Sequence, residues 1–159
     1  MSFSIVDREM MSRALVLAAK GRYTSSPNPT IGCVISIGDQ IVGEGSTRPS
    51  GGNHAEIEAL NQVSDAANSC VYVTLEPCSH QGKTGPCALA LIEARVARVV
   101  IACEDPNPVV AGSGIKLLQE AGIEVECGLL EDQAREVNKG FFKRHEHGLP
   151  WVLVKMAAS

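Results

Sequence analysis

A mixed α/β sheet with helices on both faces, three layers in all, is the fold class that this sequence predicts. Three observations predict it. Two β-type runs flank Gly38-Asp39-Gln40 and read as a hairpin. Helical and strand-like segments then alternate along the rest of the chain. The helical stretch 114–121 lies between ARVVIAC and IEVECG. That crossover makes the two strands parallel, whereas a tight turn would make them antiparallel. The expected sheet has five strands, with strand 5 parallel to strand 4.

Each element has its own local reason. Residues 7–20, DREMMSRALVLAAK, carry apolar residues at helical spacing and stop before Gly21. TSSPNPT is a loop. Strands are expected at 31–37 and 41–45, followed by the loop RPSGGN at 48–53. A helix from about 54 to 66 takes Asn53 as its N-cap. A strand at 70–75 leads into the loop from Cys78 to Cys87. The next helix spans about 86 to 95, with Pro86 in its first turn. A strand at 97–103, the loop EDPNPVVAGSG and the helix 114–121, closed by Gly122, follow. IEVECG is a strand, and 130–146 is a long amphipathic helix. Pro150 introduces a last strand, WVLVKM.

The bulk properties narrow the functional classes. A chain of 159 residues is long enough for one domain with a sizeable core. The formal net charge is −4 and no long run of Lys or Arg occurs, which argues against a broad nucleic-acid-binding surface. No apolar stretch is long enough to span a bilayer. The N-terminal MSFSIVDREMMSR has early charges and no signal-peptide core, so a cytoplasmic protein is expected. Among the six cysteines, Cys33, Cys70, Cys103 and Cys127 lie in or beside apolar, strand-like runs and read as buried, reduced thiols. Cys78 and Cys87 stand instead among Pro, Gly, Ser and Lys in EPCSHQGKTGPC.

Those two cysteines, with His54-Ala55-Glu56, form the informative set. One histidine and two cysteines make three zinc ligands with one position left for water, the composition of a catalytic site. Positions i and i+2 do not face each other along a helix. His54 and Glu56 can still serve one site beyond a helix N-terminus, which Gly51-Gly52-Asn53 lets the chain approach sharply. Cys87, after Gly85-Pro86, starts the next helix, where the thiolate that binds metal is favoured. Cys78 follows Pro77 at a strand end, and strand C-termini and helix N-termini meet where such sheets keep their sites.

Zinc would lower the pKa of bound water to about 7, and Glu56 would take its proton and return it to the leaving group. This suits hydrolysis of an aromatic amidine carbon with loss of ammonia. Zinc deaminases pair H-x-E with P-C-x-x-C. The first half matches, but eight residues separate Cys78 from Cys87. Taken singly, the parts have plainer readings: a surface helix start for His54 and Glu56, a structural zinc loop or thiol pair for the cysteines. The redox reading lacks C-x-x-C spacing. A structural zinc module would not need Glu56.

PNPTIGCV, HAEIEAL, TLEPCSHQGKTGPC, EDPNPVVAGSGIKLLQEAGIEV and VKMAAS together resemble one family. It is the deaminase domain of the bifunctional riboflavin-biosynthesis diaminohydroxyphosphoribosylaminopyrimidine deaminase / 5-amino-6-(5-phosphoribosylamino)uracil reductase, within the cytidine-deaminase-like superfamily. The resemblance implies a cytidine-deaminase-like αβα sandwich. It implies one Zn2+ per chain on His54, Cys78 and Cys87, and Glu56 as proton shuttle. The implied reaction deaminates 2,5-diamino-6-(5-phosphoribosylamino)pyrimidin-4(3H)-one to the 5-amino-uracil ribotide, with other zinc deaminases of tRNA adenosine, guanine or cytosine as the alternative.

The resemblance also suggests substrate contacts at Asn28, His80, Lys83, Asp105 and Asn107. Asn28, between Pro27 and Pro29, would present an amide to a heterocycle edge, and Lys83 would meet the phosphate. Asp105 and Asn107 would bind ribose hydroxyls or shape their loop. It implies residues 1–147 as the zinc deaminase domain. Residues 148–159 would be the first strand of an absent reductase domain, the part that would use NADPH, or a C-terminal extension. Partners are expected to be a small phosphorylated pyrimidine and further copies of the chain, with no nucleic acid and no membrane. Gly85 departs from the family pattern, which usually has a second proline there.

Overall fold

The computed structural model describes residues 3–80, 85–108 and 110–157. The elements are α1 (Ile5–Lys20), β1 (Gly32–Ile37), β2 (Gln40–Ser46), α2 (Ala55–Leu60), β3 (Cys70–Val73), α3 (Cys87–Glu93), β4 (Arg98–Ile101), α4 (Ser113–Glu120), β5 (Glu124–Cys127), α5 (Glu131–Val137) and α6 (Lys139–His147). The five strands form one sheet in the order β2-β1-β3-β4-β5. β1 runs antiparallel to β2 and β3, while β3, β4 and β5 are mutually parallel. The expected mixed sheet, with strand 5 parallel to strand 4, is present. Helices α1 and α5 cover one face, and α2, α3 and α4 the other. Val34, Ile35, Val71, Val73, Val99 and Ile101 are fully buried between them. β3 and β4, covered on both faces, therefore read as near-continuous apolar runs, whereas the edge strand β5, EVEC, alternates.

Two glycines let helices sit directly on the hairpin. A Cβ on Gly32 of β1 would lie 1.9 Å from the Ala14 carbonyl oxygen of α1. A Cβ on Gly45 of β2 would lie 1.9 Å from the Ala55 carbonyl oxygen of α2. No side chain fits at either position, so both helices pack backbone against strand.

One charged network ties the first helix to three strands. Ser4 and Asp7 form a capping box that starts α1, with Asp7 N–H donating to Ser4 Oγ at 3.0 Å and Ser4 N–H to Asp7 Oδ2 at 2.8 Å. Asp7 also accepts from Tyr72 of β3 at 2.9 Å and from Arg98 of β4 at 2.6 Å. Arg98 in turn pairs with Glu126 of β5. The Arg98 guanidinium outweighs burial and holds the Asp7 carboxyl well below its ordinary range.

Several expected boundaries move, each for a local reason. α2 is shorter than the expected 54–66. Gln62 N–H bonds Ala59 O and Val63 N–H bonds Leu60 O, so the helix tightens and ends at Leu60. His54 holds the N-cap position in place of Asn53, whose amide donates to Glu58 at 2.9 Å. The helix expected over 130–146 breaks into α5 and α6 at Asn138, where φ is −109° and ψ 20°. Residues 151–156 form no strand: no ladder partner is available to them, and Trp151, Val152, Leu153, Val154 and Met156 are exposed. Cys33 and Cys103 are buried and Cys70 half-buried, but Cys127 is exposed because β5 is an edge strand. No helix among the described residues is long and apolar enough to cross a membrane.

The Asp7 network sets the acid limit of stability. Because folding lowers the Asp7 pKa, the unfolded chain takes up the proton first as pH falls. Its stabilisation is complete above the ordinary carboxylate value of 3.8 and is lost as pH falls towards the folded value. Asp7→Asn should lower the unfolding free energy at neutral pH by roughly 2 kcal/mol, because it removes the α1 carboxylate from Arg98 and leaves the guanidinium to Glu126. Urea denaturation followed from pH 7 to pH 3 should also show a shallower acid decline in the variant.

Candidate metal centre and its cavity

Three elements bring the ligand atoms together. His54 holds the N-cap position of α2, in extended conformation. Cys87 is the first residue of α3, after Pro86. Cys78 lies past the C-terminal end of β3, and its carbonyl accepts from Ala88 N–H at 3.1 Å, which folds the loop back onto the start of α3. His54 Nδ1 is 3.6 Å from Cys78 Sγ and 3.2 Å from Cys87 Sγ. All three ligand atoms lie within 4.8 Å of one another. A tetrahedral zinc with bonds of about 2.0 Å to nitrogen and 2.3 Å to sulfur sets its ligand atoms roughly 3.5–3.8 Å apart. The donor set and its spacing therefore fit zinc.

The protonation pattern follows from the crowding of these groups. Cys78 is lowered to about 4, first by its hydrogen bond from the Cys87 thiol and next by His54. Cys87 N–H also donates to Cys78 Sγ at 3.3 Å. Cys87 is driven strongly upward by the same thiol pairing and by burial. Cys78 is thus the readier of the two thiols to ionise, and a bound cation would draw the proton from both. The His54 imidazole is raised above its ordinary value, chiefly by its bond to Cys78.

Glu56 stands in the first turn of α2 and is 1% exposed. Burial pushes its carboxyl up to about 7. Its Oε2 has no hydrogen-bond partner among the described residues. A desolvated carboxyl beside three metal-type donors can exchange a proton near neutral pH.

A cavity of about 280 Å³ opens over these groups. His54, Glu56 and Cys78 line it, and so do Asn28, His80, Asp105 and Asn107. Cys87 lies behind the wall, buried. Lys83 falls outside the described residues. Asn28 is exposed at the rim, and His80 is exposed beside Cys78. Asp105 is half-buried, and its carboxyl is raised by burial against the opposing pull of His145 and His80. Its Oδ1 accepts from Asn107 N–H at 2.8 Å, so it also shapes its own turn.

Thr47, Glu76, Phe141 and His145 are among the wall residues that sequence reasoning missed. Phe141 and His145 are one turn apart on α6, with ring centroids 4.5 Å apart. Their i, i+4 spacing was the available signal. Asn138 brings α6 to the cavity. Its buried side chain accepts from Thr30 N–H at 2.8 Å and donates to Thr30 O at 2.8 Å. An amide side chain thereby pairs with a backbone as a strand would, and fixes the Asn28 loop to the α5–α6 junction.

The metal reading gives a direct expectation. Cys87→Ala should lose most of its zinc, measured by elemental analysis after dialysis against a mild chelator. An unchanged stoichiometry of one zinc per chain would remove Cys87 from the ligand set.

Comparison with known proteins adds a separate line of support. Residues 4–103 match the family described as cytidine and deoxycytidylate deaminase zinc-binding region. The riboflavin biosynthesis protein RibD of Haemophilus influenzae is 53% identical over 160 residues, covering 100% of this chain and 43% of that protein. The chain thus spans about two fifths of the length of such relatives. A diaminohydroxyphosphoribosylamino-pyrimidine deaminase of Buchnera aphidicola subsp. Schizaphis graminum is 49% identical over 145 residues, covering 91% of this chain and 99% of that protein. Among solved structures, Acinetobacter baumannii RibD superposes with a TM-score of 0.90 at 50% identity, over 92% of this chain and 41% of that one. A dCMP deaminase from cyanophage S-TIM5, at 21% identity and a TM-score of 0.61, shares the fold.

Proposed function

The chain belongs to the cytidine and deoxycytidylate deaminase zinc-binding family, and from that premise we propose which substrate it deaminates. It hydrolyses 2,5-diamino-6-(5-phosphoribosylamino)pyrimidin-4(3H)-one to 5-amino-6-(5-phosphoribosylamino)uracil and ammonia, an early step of riboflavin biosynthesis. The observation that carries the reading is the buried carboxyl of Glu56 beside the His54, Cys78 and Cys87 donors, in one cavity with the polar groups of Asn28, Asp105 and Asn107. The deaminase name of the Buchnera relative, 99% of whose length the chain covers, supports the substrate.

His54, Cys78 and Cys87 hold the zinc, which when bound supplies acidification of water to about pKa 7 and so a nucleophile at neutral pH. Glu56 does the proton work. Its carboxylate accepts the proton that the attacking water gives up, and returns it to the departing amino nitrogen of the amidine carbon. One water is consumed, one C–N bond breaks, one C=O forms and ammonia leaves. Burial raises the Glu56 carboxyl above its ordinary range, which makes it a better proton acceptor than an exposed carboxylate. Asn28 presents its amide to the heterocycle edge, His80 and Lys83 meet the ribotide phosphate, and Asp105 and Asn107 take the ribose hydroxyls.

The same reading assigns residues 1–147 to the deaminase unit and 148–159 to the first strand of a reductase domain or to a C-terminal extension. It makes the substrate a free nucleotide rather than nucleic acid, in keeping with the net charge of −4. It takes the protein as cytoplasmic and homo-oligomeric.

The decisive assay measures ammonia release from the pyrimidinone ribotide beside cytidine, guanine and a tRNA anticodon stem; turnover confined to the ribotide is expected. Glu56→Ala should keep its zinc and lose activity by roughly a thousandfold. Loss of zinc and fold together would count against its role as proton carrier. Lys83→Ala should raise KM for the ribotide by about tenfold, one charge-assisted contact, and leave the unphosphorylated nucleoside unaffected. Equal effects on both would remove Lys83 from the phosphate.

A further inference from the structure

Glu76 is a buried carboxylate in the cavity wall for which the deaminase chemistry has no direct use. It lies between β3 and the Pro77-Cys78 pair and is 2% exposed. Its Oε2 accepts from Asp105 N–H at 3.2 Å and Gly112 N–H at 3.0 Å. Its Oε1 accepts from Gly114 N–H at 2.8 Å and Ile115 N–H at 3.3 Å. A carboxylate offers about four acceptor positions, so this one is filled by backbone alone. α4 begins at Gly112, which has no side chain to cap it, and Glu76 satisfies the exposed N–H groups of its first turn from another part of the chain.

Two further contacts run along the same seam. Ser79 Oγ and Ser113 Oγ are 2.7 Å apart. Gly114 approaches so closely that a Cβ there would lie 2.0 Å from the Pro77 carbonyl oxygen. The segment 76–79, which carries the Cys78 ligand, is therefore stitched to the segment 105–114, which carries Asp105 and Asn107. The distance between the metal ligands and those two polar side chains is set across this seam.

We propose that Glu76 is a positioning residue for substrate affinity, holding the Asp105–Asn107 turn in register with Cys78 so that both ends of the substrate are met at once. This rests on the deaminase reading above and adds to it a determinant outside the ligands and the proton carrier. In Glu76→Gln, one oxygen remains to accept and an amide N–H₂ faces backbone donors. In Ser79→Ala, one stitch of the seam is removed and the carboxylate is left in place.

The test measures zinc content, kcat and KM for ribotide deamination in the wild type and both variants. Glu76→Gln should keep one zinc per chain, raise KM roughly tenfold and change kcat by less than about threefold, the pattern of lost uniform binding. Ser79→Ala should shift KM in the same direction by about threefold, and it decides the matter alone if Glu76→Gln does not fold. A fall in kcat at constant KM, or an unchanged KM in both variants against an active wild type, overturns the proposal and leaves the deaminase reading standing. No ammonia from the ribotide with the wild-type chain sinks the deaminase reading and this proposal with it.

Discussion

The seating of α2 on β2 is the contact from which the site is built. α2 has six residues, too few to hold a helix by their own hydrogen bonds. Its position comes instead from Gly45, where the absence of a side chain lets the Ala55 backbone rest on the strand. That seating aims the N-terminus of α2 at the end of β3 and presses Glu56 into the protein. Any side chain at Gly45 would lift the helix, and His54 and Glu56 would move with it. The geometry of the candidate site is thus set in part by Gly45, which lies outside the cavity wall.

From that seat the remaining parts follow in sequence. Beyond β3 the chain runs through Leu75-Glu76-Pro77-Cys78, and Ala88 N–H in the first turn of α3 donates to Cys78 O. Two helix N-termini and the segment after β3 therefore supply the three donors, and the Cys87 amide favours the Cys78 sulfur anion. On the far side, Asn138 locks the Asn28 loop to α6 and turns Phe141 and His145 inward. The cavity is accordingly assembled from segments spread across almost the whole chain. The Asp7–Arg98 network, away from the cavity, keeps α1 and the parallel strands in register beneath it.

How far all this could be read beforehand depended on whether the cause was local. The sheet class and the parallel β4–β5 pair follow from apolar runs and from the crossover between ARVVIAC and IEVECG, both visible along the chain. The ligand set was visible because donor types at helix starts and strand ends are local signals. The length of α2 was not, because its end depends on turn bonds at Gln62 and Val63 that compete with further helix. The break at Asn138 was hidden because its cause is a pairing with Thr30, distant along the chain. Glu76 escaped for the same reason: its four partners lie far along the chain, at Asp105, Gly112 and the first turn of α4. WVLVKM has the pattern of a strand, but pattern cannot provide a neighbour to pair with. Cys127 shares the apolar look of its run and differs only because β5 is at the edge.

The burial of the Glu56 carboxyl has a consequence for how this protein could be changed. A carboxyl held away from bulk water is costly in its ionised form, and burial is what raises Glu56. The folded chain is therefore less stable than its architecture allows, and the deficit is concentrated where chemistry requires it. An apolar side chain of similar volume at position 56 would make a sturdier and inert molecule, so selection for robustness and selection for turnover pull in opposite directions at this one site.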